Sequence, residues 1–437
     1  MHMPSALARF FKLDANKTTI QREVVGGITT FLTMAYILFV NPSILSATGM
    51  DKGALITVTA LASCFGTLLV GLWVNVPFAM APGMGLNAFF AYTLVLGNKV
   101  SWETALGVVF LSGVFFLVLT LCGIRERIVN AIPLSLRLAV AAGIGVFITF
   151  IGLQNLGLVV DNPATLIGLG TFSKPVFLGL TGLLLIAALE VRRIPGSILI
   201  GILATTLLGA LFGEVKMPDA ILSAPPSIAP LAMKLDIMGA LKWSLCGTIF
   251  SFMFIDLFDS IGTIVACSYE ARIVREDGTI RGVKQMLGAD AIATAVGAVL
   301  GTSTTTTYIE SGSGIAAGAR TGLASVVTAL LFLGALVFTP IIGVVPAFAT
   351  APALIIVGVY MFKSITEIDF TDFEVAVPAF LTIVMMPLAY SISTGLQFGF
   401  LSYIVIAVAS GKARRINPVM WIIGVLSAAD LAISALT

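Results

Sequence analysis

Histidine is nearly absent from this chain, which has a single His, at position 2, among 437 residues. A proton relay through histidine is therefore excluded, and any transferred proton must be carried by carboxylates. The four cysteines, Cys64, Cys122, Cys246 and Cys267, stand singly without a CxxC pair. That spacing predicts neither a disulfide framework nor a zinc site, and we interpret these residues as free thiols.

Charged residues are also scarce: Asp, Glu, Lys and Arg make up 11% of the chain, against about 25% in soluble proteins. Hydrophobic residues make up 58%, and the mean hydropathy is +1.07. These values indicate an integral membrane protein with little mass outside the lipid bilayer. The net charge of +2 does not indicate nucleic acid as a partner, because the basic residues lie at the ends of apolar segments. Residues 7–20 mix basic and apolar side chains, so no signal peptide is expected.

Apolar segments occur fourteen times, judged against the roughly 20 residues that a spanning helix needs. They cover residues 24–41, 55–75, 84–96, 104–122, 134–157, 176–190, 196–212, 239–265, 286–300, 309–317, 321–343, 350–363, 374–391 and 395–410. The third and the tenth are too short to cross as helices, so each needs the extended stretch before it, at 78–84 or 302–308. The sequence thus predicts an all-α polytopic membrane protein with 14 transmembrane segments. In the third and the tenth, a short strand precedes a half-helix.

Basic residues cluster at the N-terminus and after the even-numbered segments. The later clusters are, in chain order, Arg125 with Arg127; Arg192 with Arg193; Arg272, Arg275 and Arg281 with Lys284; Arg320 alone; and Lys412 with Arg414 and Arg415. The positive-inside rule then places the N-terminus in the cytoplasm of a multi-pass protein of the cell's inner (plasma) membrane. The stretch 366–374, which follows the twelfth segment, is acidic and is the exception to this pattern. A further apolar stretch, 418–435, contains Asp430; we interpret it as a shallow or packed terminal segment, with a fifteenth span as the alternative.

The two broken segments hold corresponding places in the two halves of the chain. Seven segments repeated once give two inverted repeats, because an odd number of crossings reverses the second copy. The third segment of each copy is then the broken one, at 78–96 and 302–317. Lipid offers the backbone no hydrogen-bond partner, so such breaks survive only inside protein or beside a water-filled cavity. A matched pair of breaks is typical of a secondary transporter whose substrate binds between them.

Five polar side chains inside the predicted membrane segments are candidate site residues. Asp256 and Asp259 are spaced i, i+3 and share a helix face; alternatively, one of them braces a broken helix. Glu310 and Asn87 follow the two breaks and are candidates for substrate binding. The alternatives are an ordinary first-turn acid for Glu310 and a helix-packing amide for Asn87. Thr33 belongs to a weakly polar stripe of the first segment that either faces the site or packs inside the protein.

Read with their neighbours, these residues form four familiar motifs. They are residues 29–37 (TTFLTMAYI), 81–90 (APGMGLNAFF), 256–263 (DLFDSIGT) and 306–311 (TTYIES). Together they resemble the AzgA-like purine permeases, a branch of the nucleobase–cation (nucleobase–ascorbate) symporters with the uracil-permease type of fold. The resemblance covers essentially the whole chain with the motif spacing intact.

The resemblance implies a core domain, of segments 1–4 and 8–11, that moves in an elevator-like manner against a gate domain. The corresponding ranges are 1–23 for the cytoplasmic N-terminus, 24–122 and 239–343 for the core, 134–212 and 350–410 for the gate, and 411–437 for a C-terminal segment.

By motif, Asp259 and Glu310 match the family's substrate carboxylates, and Tyr308 and Ile309 stand beside Glu310 at the substrate. Asn87 matches the branch's third-segment asparagine. Asp256 matches its second eighth-segment acid. The wider family's histidine near this site is absent here, so the resemblance implies proton coupling through Asp256 and Asp259.

The expected function is secondary active uptake of guanine or hypoxanthine in symport with protons. An adenine-preferring or sodium-coupled symporter is the alternative. An anion transporter or channel on the same fold is disfavoured, because the ionisable groups inside the membrane are acidic. Since no nucleophile–base pair or cluster of metal ligands is visible, no enzyme, catalytic residue, metal or organic cofactor is expected. The sequence leaves a monomer and a homodimer both open.

Overall fold

The computed structural model describes residues 6–123, 131–218, 220–275 and 279–436. Arg125 and Arg127 lie outside the described residues, and so does the side chain of Asp430.

Helices dominate the described chain, with four short strands. The first half contains α1 Ala6–Phe10, α2 Ile20–Met34, α3 Ile37–Leu45, α4 Lys52–Leu69, β1 Met80–Pro82, α5 Met84–Ala88, α6 Trp102–Leu121, α7 Leu134–Leu156, β2 Val159–Asn162, β3 Leu166–Leu169, α8 Lys174–Val191 and α9 Ser197–Leu211. The second half contains α10 Ile237–Ala240, α11 Cys246–Glu270, α12 Val283–Leu300, β4 Thr305–Thr307, α13 Ser311–Ala316, α14 Gly322–Ala335, α15 Thr339–Val344, α16 Ala347–Phe362, α17 Phe373–Leu388, α18 Ile392–Ala409 and α19 Pro418–Leu436. Wider π-helical turns extend α4 through Val70–Val74 and α5 through Phe89–Gly97.

The predicted membrane fold is confirmed. Each of the fourteen predicted segments corresponds to a helix, a pair of consecutive helices or a strand followed by a half-helix. Within the described residues, 10 helical stretches are long and apolar enough to cross a membrane. The third segment is the shorter helix Met84–Gly97, and the tenth contains the six-residue helix α13. The terminal stretch forms one helix, α19, which packs against α18 and α11.

The two broken segments meet each other in a two-stranded antiparallel sheet. Strand β1 pairs with β4, with Ala81 opposite Thr306 at its centre. Pro82 has no backbone N–H and so cannot continue a helix, while the residues around it bond across the break. Gly83 N donates to Thr304 O at 2.9 Å, and Tyr308 N donates to Ala79 O at 2.9 Å. The backbone of both breaks is thereby satisfied inside the protein, as the bilayer requires.

The spanning helices pack in two groups. In one, α2 and α4 pack against α14, and α6 packs against α12 and α11. In the other, α7 packs against α16 and α17, α17 packs against α18, and α8 packs against α9 and α16. The contacts between the groups are fewer, and they join α5 and α11 to α7, α3 to α16, and α2 to α9. Both broken segments belong to the first group, so they face the second group across the interface.

Glycine allows the closest approach between two of these helices. A Cβ added at Gly322, the first residue of α14, would overlap the backbone oxygen of Gly71. Small residues permit such backbone contacts between membrane helices. A Cβ at Gly334, on the same helix, would meet no atom within 4 Å.

Gly322→Val is therefore expected to destabilise the protein by about 1–3 kcal/mol or more, because the overlapping atom belongs to the backbone and cannot move aside. Thermal unfolding of the detergent-purified protein, followed by intrinsic fluorescence, measures the effect. Gly334→Val serves as the control and should unfold at the wild-type temperature. Equal melting temperatures for the two variants would contradict the proposed close packing.

Candidate substrate site

A cavity of about 740 Å³ lies between the two groups of helices. On one side its wall consists of both breaks and α11, which contribute Gly83, Asp259, Thr306 and Glu310 among others. On the other side the wall is formed by α7 and α16, with largely apolar residues such as Val140 and Ile144 next to Tyr360. The cavity continues to the exposed residues Lys363 and Glu367 beyond the end of α16. The site is thus a cleft with an acidic inner wall and an open mouth.

Asp259 lies at the inner wall of the cavity on helix α11. A Cβ placed on Gly83 would come within 3.6 Å of Asp259 Oδ2, so the carboxylate sits directly beside the first break. Gly262 and Thr263, one turn further along α11, also line the cavity. Since Gly262 would meet no atom within 4 Å if it carried a Cβ, this face of the helix is open to a ligand.

Glu310 immediately precedes the half-helix α13 and reaches the same cavity from the second break. The hydroxyl of Tyr36 donates a hydrogen bond to Glu310 Oε1 at 2.6 Å. Tyr36 lies at the point where the first segment divides into α2 and α3, and it is buried. Its hydroxyl fixes one carboxylate oxygen, which leaves the other available to a ligand. A hydrogen bond to an ionised carboxylate is among the stronger ones in proteins.

Of the other predicted site residues, Tyr308 and Ile309 line the cavity, whereas Thr33, Asn87 and Asp256 do not. Tyr308 and Ile309 line the cavity, and the Tyr308 hydroxyl donates to Pro82 O, which ties the two breaks together. Ile309 is 48% exposed, so it offers an apolar surface to a ligand. Thr33 does not line this cavity; its hydroxyl bonds to the carbonyls of Thr29 and Thr30 on its own helix, and its side chain borders a second cavity.

Asn87 and Asp256 are buried behind the cavity wall rather than exposed in it. The hydroxyl of Ser303, from the second break, donates to Asn87 Oδ1. The ring of Phe252 packs on Phe89 with the ring centres 4.8 Å apart, while Asp259 lies beside Gly83. Helix α11 therefore runs antiparallel to the third segment, which brings Asp256 to the level of Asn87.

The i, i+3 acids thus occupy different environments. Asp259 is open to the cavity, whereas Asp256 is 1% exposed inside the protein. Their roles as site residues stay predictions.

The sequence did not indicate any residue of the opposite wall, which comes from the second group of helices and includes two basic residues and a tyrosine. Arg137 of α7 and Tyr360 of α16 line the cavity, and Lys363 lies at its mouth. Arg137 was detectable as a basic residue inside an apolar segment, which is uncommon and usually functional. Among the described residues, no group of three or more His, Cys, Asp or Glu could hold a metal ion. The polar groups that line the cavity include the carboxylates of Asp259 and Glu310, several Thr and Tyr hydroxyls, and the guanidinium of Arg137.

Comparison with known proteins identifies the family. Residues 21–398 match the family model Xan_ur_permease, whose description is "Permease family". The chain belongs to this permease family. It is 47% identical to the guanine/hypoxanthine permease PbuG of Bacillus subtilis, over 94% of this chain and 96% of that protein. It is 43% identical to the adenine permease AdeP of Escherichia coli, over 96% of this chain and 94% of that protein. The permease family places the chain among transport proteins, not enzymes, and the resemblance seen in the motifs is confirmed.

The fold of this permease is also shared with a solved structure of low sequence identity. The transmembrane domain of the cyanobacterial bicarbonate transporter BicA superposes with a TM-score of 0.65 at 16% identity, and the match covers 87% of this chain and 97% of that one. At that identity the likeness concerns the architecture alone. The permease is a multi-pass membrane protein with two broken segments at the interface between its helix groups.

Proposed function

We propose that this permease imports a purine nucleobase, guanine or hypoxanthine, together with a proton. The observation that supports this most directly is the convergence of Asp259 and Glu310, from two discontinuous elements, on one cavity. The volume of about 740 Å³ falls within the range of about 300–1,000 Å³ that is usual for small-molecule sites. The relatives named as guanine/hypoxanthine and adenine permeases cover nearly the whole chain.

The donor pattern of a purine suits these carboxylates. Guanine presents a ring N–H beside an amino group, and a carboxylate accepts such a pair in a bidentate manner. Hypoxanthine presents ring N–H groups on opposite edges, which Asp259 and Glu310 can accept from two sides. Met84 and Gly85 line the cavity at the first turn of the helix Met84–Gly97. Backbone N–H groups at a helix start favour an electron-rich ligand atom, here the exocyclic oxygen of the purine.

The coupling proton is assigned to Asp256 and Asp259. Protonating one of them lowers the negative charge of the loaded core, so that it can move without carrying an unpaired charge through a dry interface. Each proton that moves inward down 100 mV contributes about 2.3 kcal/mol, roughly a fifty-fold accumulation of substrate. Sodium in place of the proton is the alternative, and replacing sodium by choline during uptake separates the two.

The open mouth of the cavity gives the direction of access. Arg137 lines the cavity near the start of the fifth segment, an end that the positive-inside rule assigns to the cytoplasm. Lys363 and Glu367 lie at the mouth after the twelfth segment, an end that the alternation of the segments assigns to the same side although the stretch is acidic. The conformation is therefore one that releases substrate inward. Import then requires the first helix group, which carries both breaks, to move as a core against the second group as a gate.

Competition for uptake tests the proposed substrate class. In cells or proteoliposomes that contain the protein, unlabelled guanine should suppress uptake of labelled hypoxanthine strongly, and xanthine and uracil should do so weakly. The physical reason is that a site built to accept N–H donors rejects analogues whose donors fall elsewhere by several orders of magnitude. Stronger competition by adenine than by guanine would reverse the proposed preference within the purines. Stronger competition by uracil would contradict a purine site.

A further inference from the structure

A second cavity, of about 540 Å³, reaches Glu310 from the other side. It shares Ile309, Glu310 and Tyr360 with the first cavity. Its remaining walls come from α2, from the connection between α8 and α9, and from α13. Hydroxyl and charged side chains line much of it: Thr29, Thr33, Glu190, Arg193, Ser197 and Ser313. Because a liquid water molecule occupies about 30 Å³, a polar space of this size holds several waters.

Glu190 is the carboxylate of this second cavity on the gate side. It lies in the last turn of α8, where the helix dipole disfavours an acid. Ser197 at the start of α9 donates a hydrogen bond to Glu190 Oε1, and Tyr360 on α16 lines the same cavity. Three gate helices therefore contribute to the surroundings of one half-buried carboxylate.

Glu190 and Glu310 form two similar pairs on opposite sides of the interface. On the gate, Tyr360 and Glu190 line the same cavity, and on the core, the hydroxyl of Tyr36 donates a hydrogen bond to Glu310. Both carboxylates line the second cavity, where their like charges repel each other. Besides these groups, Arg193 lines the cavity and Glu270 lies beside the α13 residue Gly312. A proton held between the two pairs would relieve their repulsion.

We propose that Glu190 is a proton-relay residue that takes the coupling proton from Glu310 through the second cavity and releases it to the cytoplasm. This inference rests on the proposed function. The proton reaches Glu310 from the Asp256/Asp259 pair when the purine leaves. The O–H bond of the Glu310 carboxyl breaks, cavity water carries the proton, and the Glu190 carboxylate becomes a carboxylic acid. Its proton then passes to bulk water near Arg193, and both carboxylates end ionised. The purine leaves separately, through the wider first cavity.

Glu190→Gln tests the relay, because the amide keeps the size of the side chain and an oxygen that can accept from Ser197 but cannot take up a proton. In proteoliposomes, accumulation of labelled hypoxanthine driven by an imposed pH gradient should fall at least tenfold. Exchange of labelled for unlabelled hypoxanthine at equal pH on both sides should stay within about twofold of wild type. Glu190→Asp should restore part of the accumulation. Glu214→Gln, exposed beyond the other end of α9, should behave as wild type in both assays.

Accumulation by Glu190→Gln at the wild-type level would overturn the relay. Equal loss of accumulation and exchange in that variant, at a wild-type protein level, would also overturn it, since it would indicate a structural or binding role. If the wild-type protein neither accumulated nor exchanged any purine, the proposed function itself would fail, and the relay with it.

Discussion

Glu310→Gln is expected to reduce uptake of labelled hypoxanthine by a hundredfold or more. Tyr36 holds one oxygen of the carboxylate, and in the proposed binding mode the other oxygen accepts the N–H of the purine inside the cavity. An amide in its place either loses that acceptor or turns an N–H donor toward the N–H of the purine. Bonds to ionised groups contribute about 1.5–3 kcal/mol each, and a hundredfold change corresponds to about 2.8 kcal/mol. The loss is therefore expected in equilibrium binding as well as in uptake.

Isothermal titration of the purified variant with hypoxanthine separates binding from movement. We expect weaker binding by at least a factor of one hundred, with an unchanged unfolding temperature. Glu214→Gln again serves as the control, because this acid is exposed and remote from the cavity. Wild-type binding by Glu310→Gln would remove this residue from the substrate site and leave it as an acid that braces Tyr36.

Asp259→Asn is expected to abolish accumulation of the purine. Any uptake that remains is expected to be independent of the proton gradient. Asp259 lies beside the first break on the open face of α11. In the proposed mechanism it both binds the purine and belongs to the acid pair that carries the proton. Asparagine keeps the size and one acceptor oxygen, but it cannot bind or release a proton. Gradient-driven uptake should therefore fall at least a hundredfold, while any residual uptake should be indifferent to a protonophore.

Uptake measured across a range of external pH, with and without the protonophore, tests this expectation. Asp161→Asn, on the exposed hairpin strand β2, should keep the wild-type response to both. If Asp259→Asn retained protonophore-sensitive accumulation, the coupling proton would have to be carried elsewhere. Asp256 on the next turn of α11 would be the first residue to examine.

The breaks were predictable because their causes are local. Pro82 removes a backbone donor, and the hydroxyl-rich run before Glu310 has weak helix propensity. Both interrupt segments that are otherwise apolar, and the matching places in the two halves indicate a site between them. Asp256, Asp259 and Glu310 could also be predicted as site residues, because an ionisable group inside a membrane segment is rare.

What the sequence could not show are the contacts that tertiary packing creates. The Tyr36–Glu310 bond joins residues 274 positions apart, so no local sequence pattern indicated it. Asn87 stands at the place equivalent to Glu310, yet it is buried against Ser303 while Glu310 faces the cavity. The helices of the second group are apolar on most faces, so no periodic signal indicated which of their residues, such as Tyr360, would line the cavity.

A structure of the protein in lipid nanodiscs with bound hypoxanthine tests the proposed site most directly. We predict that density for the purine lies in the cavity between the helix groups, with ring nitrogens within about 3.2 Å of carboxylate oxygens of both Asp259 and Glu310. Purine density confined to another part of the molecule, with these two carboxylates turned away from it, would contradict the assignment.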